Sequence, residues 1–124
     1  MMQTLAIASG GAAGALLRFW MSSGVYNWLG RGFPYGTLAV NVLGSLLMGF
    51  LYVMLVDKLS LGANWRAALL VGLLGAFTTF STFSIETLNL VEEGEAIKAL
   101  MNVLLSVMLC LIAAWAGVLA GRSV

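Results

Sequence analysis

The chain has 124 residues, 61% of them hydrophobic and 9% charged, where a soluble domain carries about 25% charge. That composition excludes an ordinary soluble globule, and a formal net charge of +1 leaves nucleic acid without an electrostatic footprint. There is no histidine and one cysteine, Cys110, so the commonest general base, a disulfide framework and a cysteine metal site are all excluded.

Residues 3–28 form the first expected membrane span. Met1 to Gly14 lacks a basic start, so no secretory leader is expected. Gly10, Gly14 and Arg18 are four apart and share one helix face. Small residues on a face let a second helix approach closely. A charge this deep in an apolar segment usually faces protein or a wet cavity. Arg18 either snorkels to the interface or faces a vestibule or a subunit contact. Gly30 to Gly36, with Arg31 and the only proline, Pro34, reads as a loop.

The second expected span is 37–56, with Asn41 among apolar residues. A buried amide needs a partner. It is either glue between helices or a donor to a passing ion. Asp57 to Asn64 reads as the second loop, and Asn64 as a cap for the next helix.

The third span, 65–91, holds the unusual stretch GLLGAFTTFSTF at Gly72–Phe83. Spanning takes roughly 20 apolar residues, yet its centre carries Gly72, Gly75, Thr78, Thr79, Ser81 and Thr82, with Phe80 and Phe83 threaded through them. Glycines lower the cost of leaving helical geometry, and hydroxyls can re-satisfy the backbone groups that a broken membrane helix frees. A break is therefore expected here. Its carbonyl oxygens, set across a two-fold axis, suit a hard monovalent cation. Phe80 and Phe83, one turn apart, offer positive ring edges. With hydroxyl donors and an amide they would form a path for a small anion, binding weakly enough for the ion to leave. Glu86 is expected toward the helix end.

Glu92, Glu93 and Glu95 form an acidic turn before the fourth span, 96–120. There Asn102, Ser106, Cys110, Ala114 and Gly117 follow one another at spacings of four or three, a small and polar stripe on one face. Close packing accounts for the last three, while Asn102 and Ser106 are the better functional candidates. Four spans leave almost nothing over, so residues 1–124 are expected to form a single four-helix transmembrane domain. So thin a bundle has little room for a polar path inside one copy, and an oligomer is expected. Lys58, Arg66 and Arg122 fall on one side, Arg31 and Lys98 on the other. The positive-inside rule barely chooses between orientations, so an antiparallel dimer of one sequence is possible.

TTFSTF at Thr78–Phe83, GGAAG followed by Arg18, and GTLAVNVLG at Gly36–Gly44 together resemble the Fluc (CrcB) fluoride channels. The resemblance runs over essentially the whole chain. It implies an all-α membrane protein with a broken third helix, forming an antiparallel, dual-topology homodimer with two pores. It implies a structural Na+ held by the main-chain carbonyls of Gly75 and Thr78. It implies a fluoride path along Asn41, Phe80, Ser81, Thr82 and Phe83, with Ser106 near the fourth-helix polar position. The activity implied is passive fluoride export across the plasma (inner) membrane, without enzymatic chemistry. Two other readings compete. A small four-helix drug/proton antiporter needs a carboxylate in the first span, where this chain has Arg18 instead. A non-transporting assembly subunit leaves the clustered hydroxyls and aromatics unexplained.

Overall fold

The computed structural model describes residues 1–59 and 62–124. Five helices are seen, and no strand occurs among the described residues. α1 is Met2–Leu29. α2 is Tyr35–Lys58, whose last six residues, Val53–Lys58, are wound with the wider i→i+5 spacing. α3 covers residues 63–77, made of Ala63–Arg66, the i→i+5 segment Ala67–Leu74, and Gly75–Phe77. α4 is Phe80–Glu92 and α5 is Ala96–Ser123. Glycines in left-handed conformation end α1 (Gly30, φ 84°) and turn the chain between α4 and α5 (Gly94, φ 80°), as expected where a side chain would strain the backbone.

Among the described residues, three helical stretches are long and apolar enough to cross a membrane: Tyr35–Lys58, Ala63–Glu92 across the break, and Ala96–Ser123. α1 is equally long at 28 residues, but its glycines, serines and Arg18 keep it less apolar. The protein is a multi-pass integral membrane protein.

Lipid offers no hydrophobic drive between helices, so close backbone contact must hold them together. α1 lies along α3, and α2 along α5. On the first seam a Cβ added at Gly14 would strike the Leu73 carbonyl. On the second, a Cβ at Gly117 would strike the Leu46 carbonyl, and one at Gly49 the Ala114 carbonyl. Contacts between α1 and α2 join the two pairs, and α4 rests on α5. Leu74, Val40 and Asn102 are the largest fully buried side chains.

Two local expectations are corrected. α3 begins after Gly62, whose extended backbone (φ −61°, ψ 163°) is the N-cap. Asn64 therefore sits inside the first turn and caps nothing. The second loop is shorter than 57–64, because the wide turns carry α2 on to Lys58. Of that loop, Ser60 and Leu61 lie outside the described residues.

Candidate ion pathway at the helix break

The third long segment breaks where the glycines and hydroxyls meet. Thr78 (φ −89°, ψ 158°) and Thr79 (φ −153°, ψ 123°) are extended between α3 and α4. A helix end leaves several carbonyls without donors, and a helix start leaves N–H groups without acceptors. Side chains settle several of them. The Leu74 carbonyl accepts from the Thr78 N–H at 3.1 Å and its hydroxyl at 3.0 Å. The Ala76 carbonyl accepts from Arg18 Nε at 3.1 Å. The Arg18 cation so meets the negative end of α3, where a positive charge is favoured. Arg18 therefore faces protein at the break instead of reaching back to the membrane surface.

Asn41 braces the other side. Its Oδ1 accepts from the Thr79 N–H at 2.8 Å, and its Nδ2 donates to the Thr79 carbonyl at 3.0 Å. One amide so satisfies both backbone groups of an extended residue, and one Nδ2 hydrogen remains. Thr79 also caps α4, its hydroxyl accepting from the Thr82 N–H at 3.3 Å. Gly44 lies against the Thr78 methyl, where a Cβ would collide with it. Among the described residues no donor is seen for the Gly75 or Thr78 carbonyl.

Beside the break lies an open groove of about 450 Å³. Asn41, Thr79, Phe80, Phe83 and Ser106 line it, with Ser45 and Cys110. The rings of Phe80 and Phe83 are 5.3 Å apart and tilted by 45°. Phe83 is 9% exposed in one copy and Phe80 78%, so one ring is set in the protein and the other stands free of it. Ser81 and Thr82 gather around the Thr79 hydroxyl instead, at 3.4 and 3.1 Å. Of the residues singled out in the sequence, then, Asn41, Phe80, Phe83 and Ser106 share one wall, while Ser81 and Thr82 stand beside it.

The family model described as CrcB-like protein, Camphor Resistance (CrcB), matches residues 5–118. The chain belongs to the CrcB family. Three curated relatives are each named "Fluoride-specific ion channel FluC". That of Methylococcus capsulatus is 65% identical over 117 residues, 94% of this chain and 51% of that protein. That of Magnetococcus marinus is 52% identical over 98% of both chains. That of Coxiella burnetii is 51% identical, also over 98% of both. The chain thus spans about half the length of the first relative and nearly all of the other two.

Within this CrcB chain the structure adds polar pairings that local sequence patterns did not reveal. Glu86, expected near the helix end, lies inside α4 and takes a 2.7 Å hydrogen bond from the Tyr26 hydroxyl on α1. The Thr37 hydroxyl is 3.3 Å from the same oxygen of Tyr26. Glu86 Oε1 is buried and, among the described residues, has no hydrogen-bond partner. Thr87 and Asn102 link α4 to α5 at 2.8 Å. Tyr26 and Glu86 are 60 positions apart, so no local spacing could pair them. The only available signal was an acid inside an apolar span, since such a group needs a donor from another helix.

Proposed function

We propose that the chain is a passive, fluoride-selective channel that exports fluoride from the cytoplasm across the inner membrane. The observation that carries this reading is the groove at the helix break, where Asn41, Phe80, Phe83 and Ser106 from three helices line one surface. The names of the CrcB relatives support it. Fluoride is small and holds its water tightly, so a path must replace that water with donors at close range. The remaining Asn41 hydrogen, the hydroxyls of Ser81, Thr82 and Ser106, and the ring edges of Phe80 and Phe83 are such donors. All are partial charges, which let the ion leave again. The first turn of α4 adds the positive end of a helix dipole. Hydrogen fluoride enters as a neutral acid and ionises in a more alkaline interior. The membrane potential then drives the anion out, at about 2.3 kcal/mol per charge per 100 mV.

In this reading α1 is a fourth crossing, and residues 1–124 form one transmembrane unit. Two copies pair antiparallel, giving two pores. The exposure of Phe80 in one copy supports a second copy closing the groove. The undonated carbonyls of Gly75 and Thr78 suit a hard monovalent cation such as Na+, since oxygen donors match hard ions. Two carbonyls from each copy would complete its shell, and the ion would supply fixed positive charge between the copies. Arg18 holds the end of α3 beside that site, as a dimer contact or vestibule residue.

Purified full-length protein in liposomes tests the activity. A fluoride electrode should record rapid fluoride efflux once charge is balanced by a potassium ionophore, while chloride stays trapped. Folded protein that releases no more fluoride than empty vesicles would overturn the reading. Exchange of Na+ for choline should lower the melting temperature of the detergent-solubilised dimer, and equal melting in both salts would remove the central cation.

A further inference from the structure

A series of three hydrogen bonds runs behind the groove, and chemistry fixes its direction. Thr87 Oγ1 lies 2.7 Å from the Phe83 carbonyl. A carbonyl only accepts, so the Thr87 hydroxyl proton is committed to it. Thr87 Oγ1 must then accept from Asn102, 2.8 Å away, and Asn102 must present its NH2 there. The amide oxygen is left facing Ser106, whose hydroxyl donates to it at 3.3 Å. Every proton in the series points the same way, from Ser106 toward the Phe83 carbonyl. Asn102 is 1% exposed, so bulk water cannot replace Ser106 as the donor to its amide oxygen.

This arrangement matters because Ser106 lines the groove. With its proton turned to Asn102, its oxygen can offer the groove only lone pairs, which repel an anion. To donate to an anion the hydroxyl must rotate, and Asn102 Oδ1 is then left buried without a donor, which costs free energy. The Ser106–Asn102 bond is also the longest of the three, so it is the link that yields.

We infer that Asn102 is a positioning residue that makes Ser106 a conditional donor. The hydroxyl swings to fluoride when the ion arrives and is drawn back to Asn102 when it leaves. The inference rests on the fluoride path proposed above and concerns release. Regaining the Asn102 bond favours departure of the ion, so the site holds fluoride less tightly than a free hydroxyl would. Thr87 acts one step further back by fixing which end of the Asn102 amide faces Ser106.

Efflux from liposomes, measured against internal fluoride concentration, gives a half-saturating concentration and a maximal rate. Asn102→Leu removes the acceptor, and the half-saturating concentration should fall roughly fivefold, the value of one net hydrogen bond, while the maximal rate also falls. Thr87→Val lets the Asn102 amide turn its NH2 to Ser106 and should shift both quantities in the same direction. It also provides the test if Asn102→Leu does not assemble. In a Ser106→Ala background, Asn102→Leu should add nothing. A lower maximal rate with an unchanged or raised half-saturating concentration would reduce Asn102 to packing and overturn the inference. So would a shift that persists without Ser106. Wild-type protein with no fluoride flux would strike down the channel itself, a result distinct from these.

Discussion

The helices on either side of the break are continuous in sequence and opposite in surroundings. α3 meets α1 backbone to backbone, with Gly14 against Leu73, and its side chains from Ala67 to Leu74 carry no polar atom. α4 is polar along its length. Ser84 and Thr87 donate to the Phe80 and Phe83 carbonyls one turn back, Glu86 accepts from Tyr26, and Thr87 accepts from Asn102. One half is a frame clamped by another helix, and the other is a working surface held by directed bonds. The break falls where the clamp ends, and Arg18 and Asn41 secure its two sides.

The largest expected effect breaks the frame. Gly14→Val forces a side chain into the Leu73 carbonyl, and backbone cannot yield as a side chain can. A cost at or above the ~3 kcal/mol upper end of ordinary overpacking is expected. No monodisperse protein should be recovered by size exclusion, and normal recovery would show that α1 and α3 can separate. Next comes the joint. Arg18→Gln removes a charge-assisted hydrogen bond worth about 1.5–3 kcal/mol, and thermal melting should fall accordingly. Unchanged melting would mean the Ala76 carbonyl finds another donor.

The working surface should respond in transport and not in folding. A ring edge contributes ~1 kcal/mol, close to a factor of five in rate. Phe83→Ile and Phe80→Ile should each cut fluoride efflux by about fivefold or more while the protein remains folded. Undiminished efflux in both would detach the rings from the path. The smallest effect is at the cap. Thr79→Ala loses one side-chain acceptor at the start of α4, about 1 kcal/mol. It should speed hydrogen exchange in the first turn of α4 and leave α3 as it was. Equal change in both halves would erase the distinction between them.

Much of this was legible in the sequence because local chemistry dictated it. The run from Gly72 to Phe83 mixes glycine and hydroxyls inside an apolar segment, and that combination forecasts a break wherever the partners lie. The glycine rows likewise forecast close seams. Less legible were the partners of polar groups. Asn41 is a donor candidate by residue type, but its engagement with Thr79, 38 positions away, is a fact of tertiary packing. Asn64 failed as a cap because Gly62 reached the extended cap conformation first. Ser81 and Thr82 read as a track along the groove, yet in one copy the Thr79 hydroxyl draws them around the start of α4.

The two glycine seams carry a consequence for energetics. A carrier rocks one bundle against another in every cycle, and each stroke needs surfaces that slide. Here carbonyl oxygens nest against bare α-carbons, so neither helix pair can shift without opening a gap too narrow for a lipid tail. If the proposed channel reading holds, no stroke is made, throughput depends on the hops of the ion alone, and warming should quicken it no more than it quickens diffusion through a rigid tube.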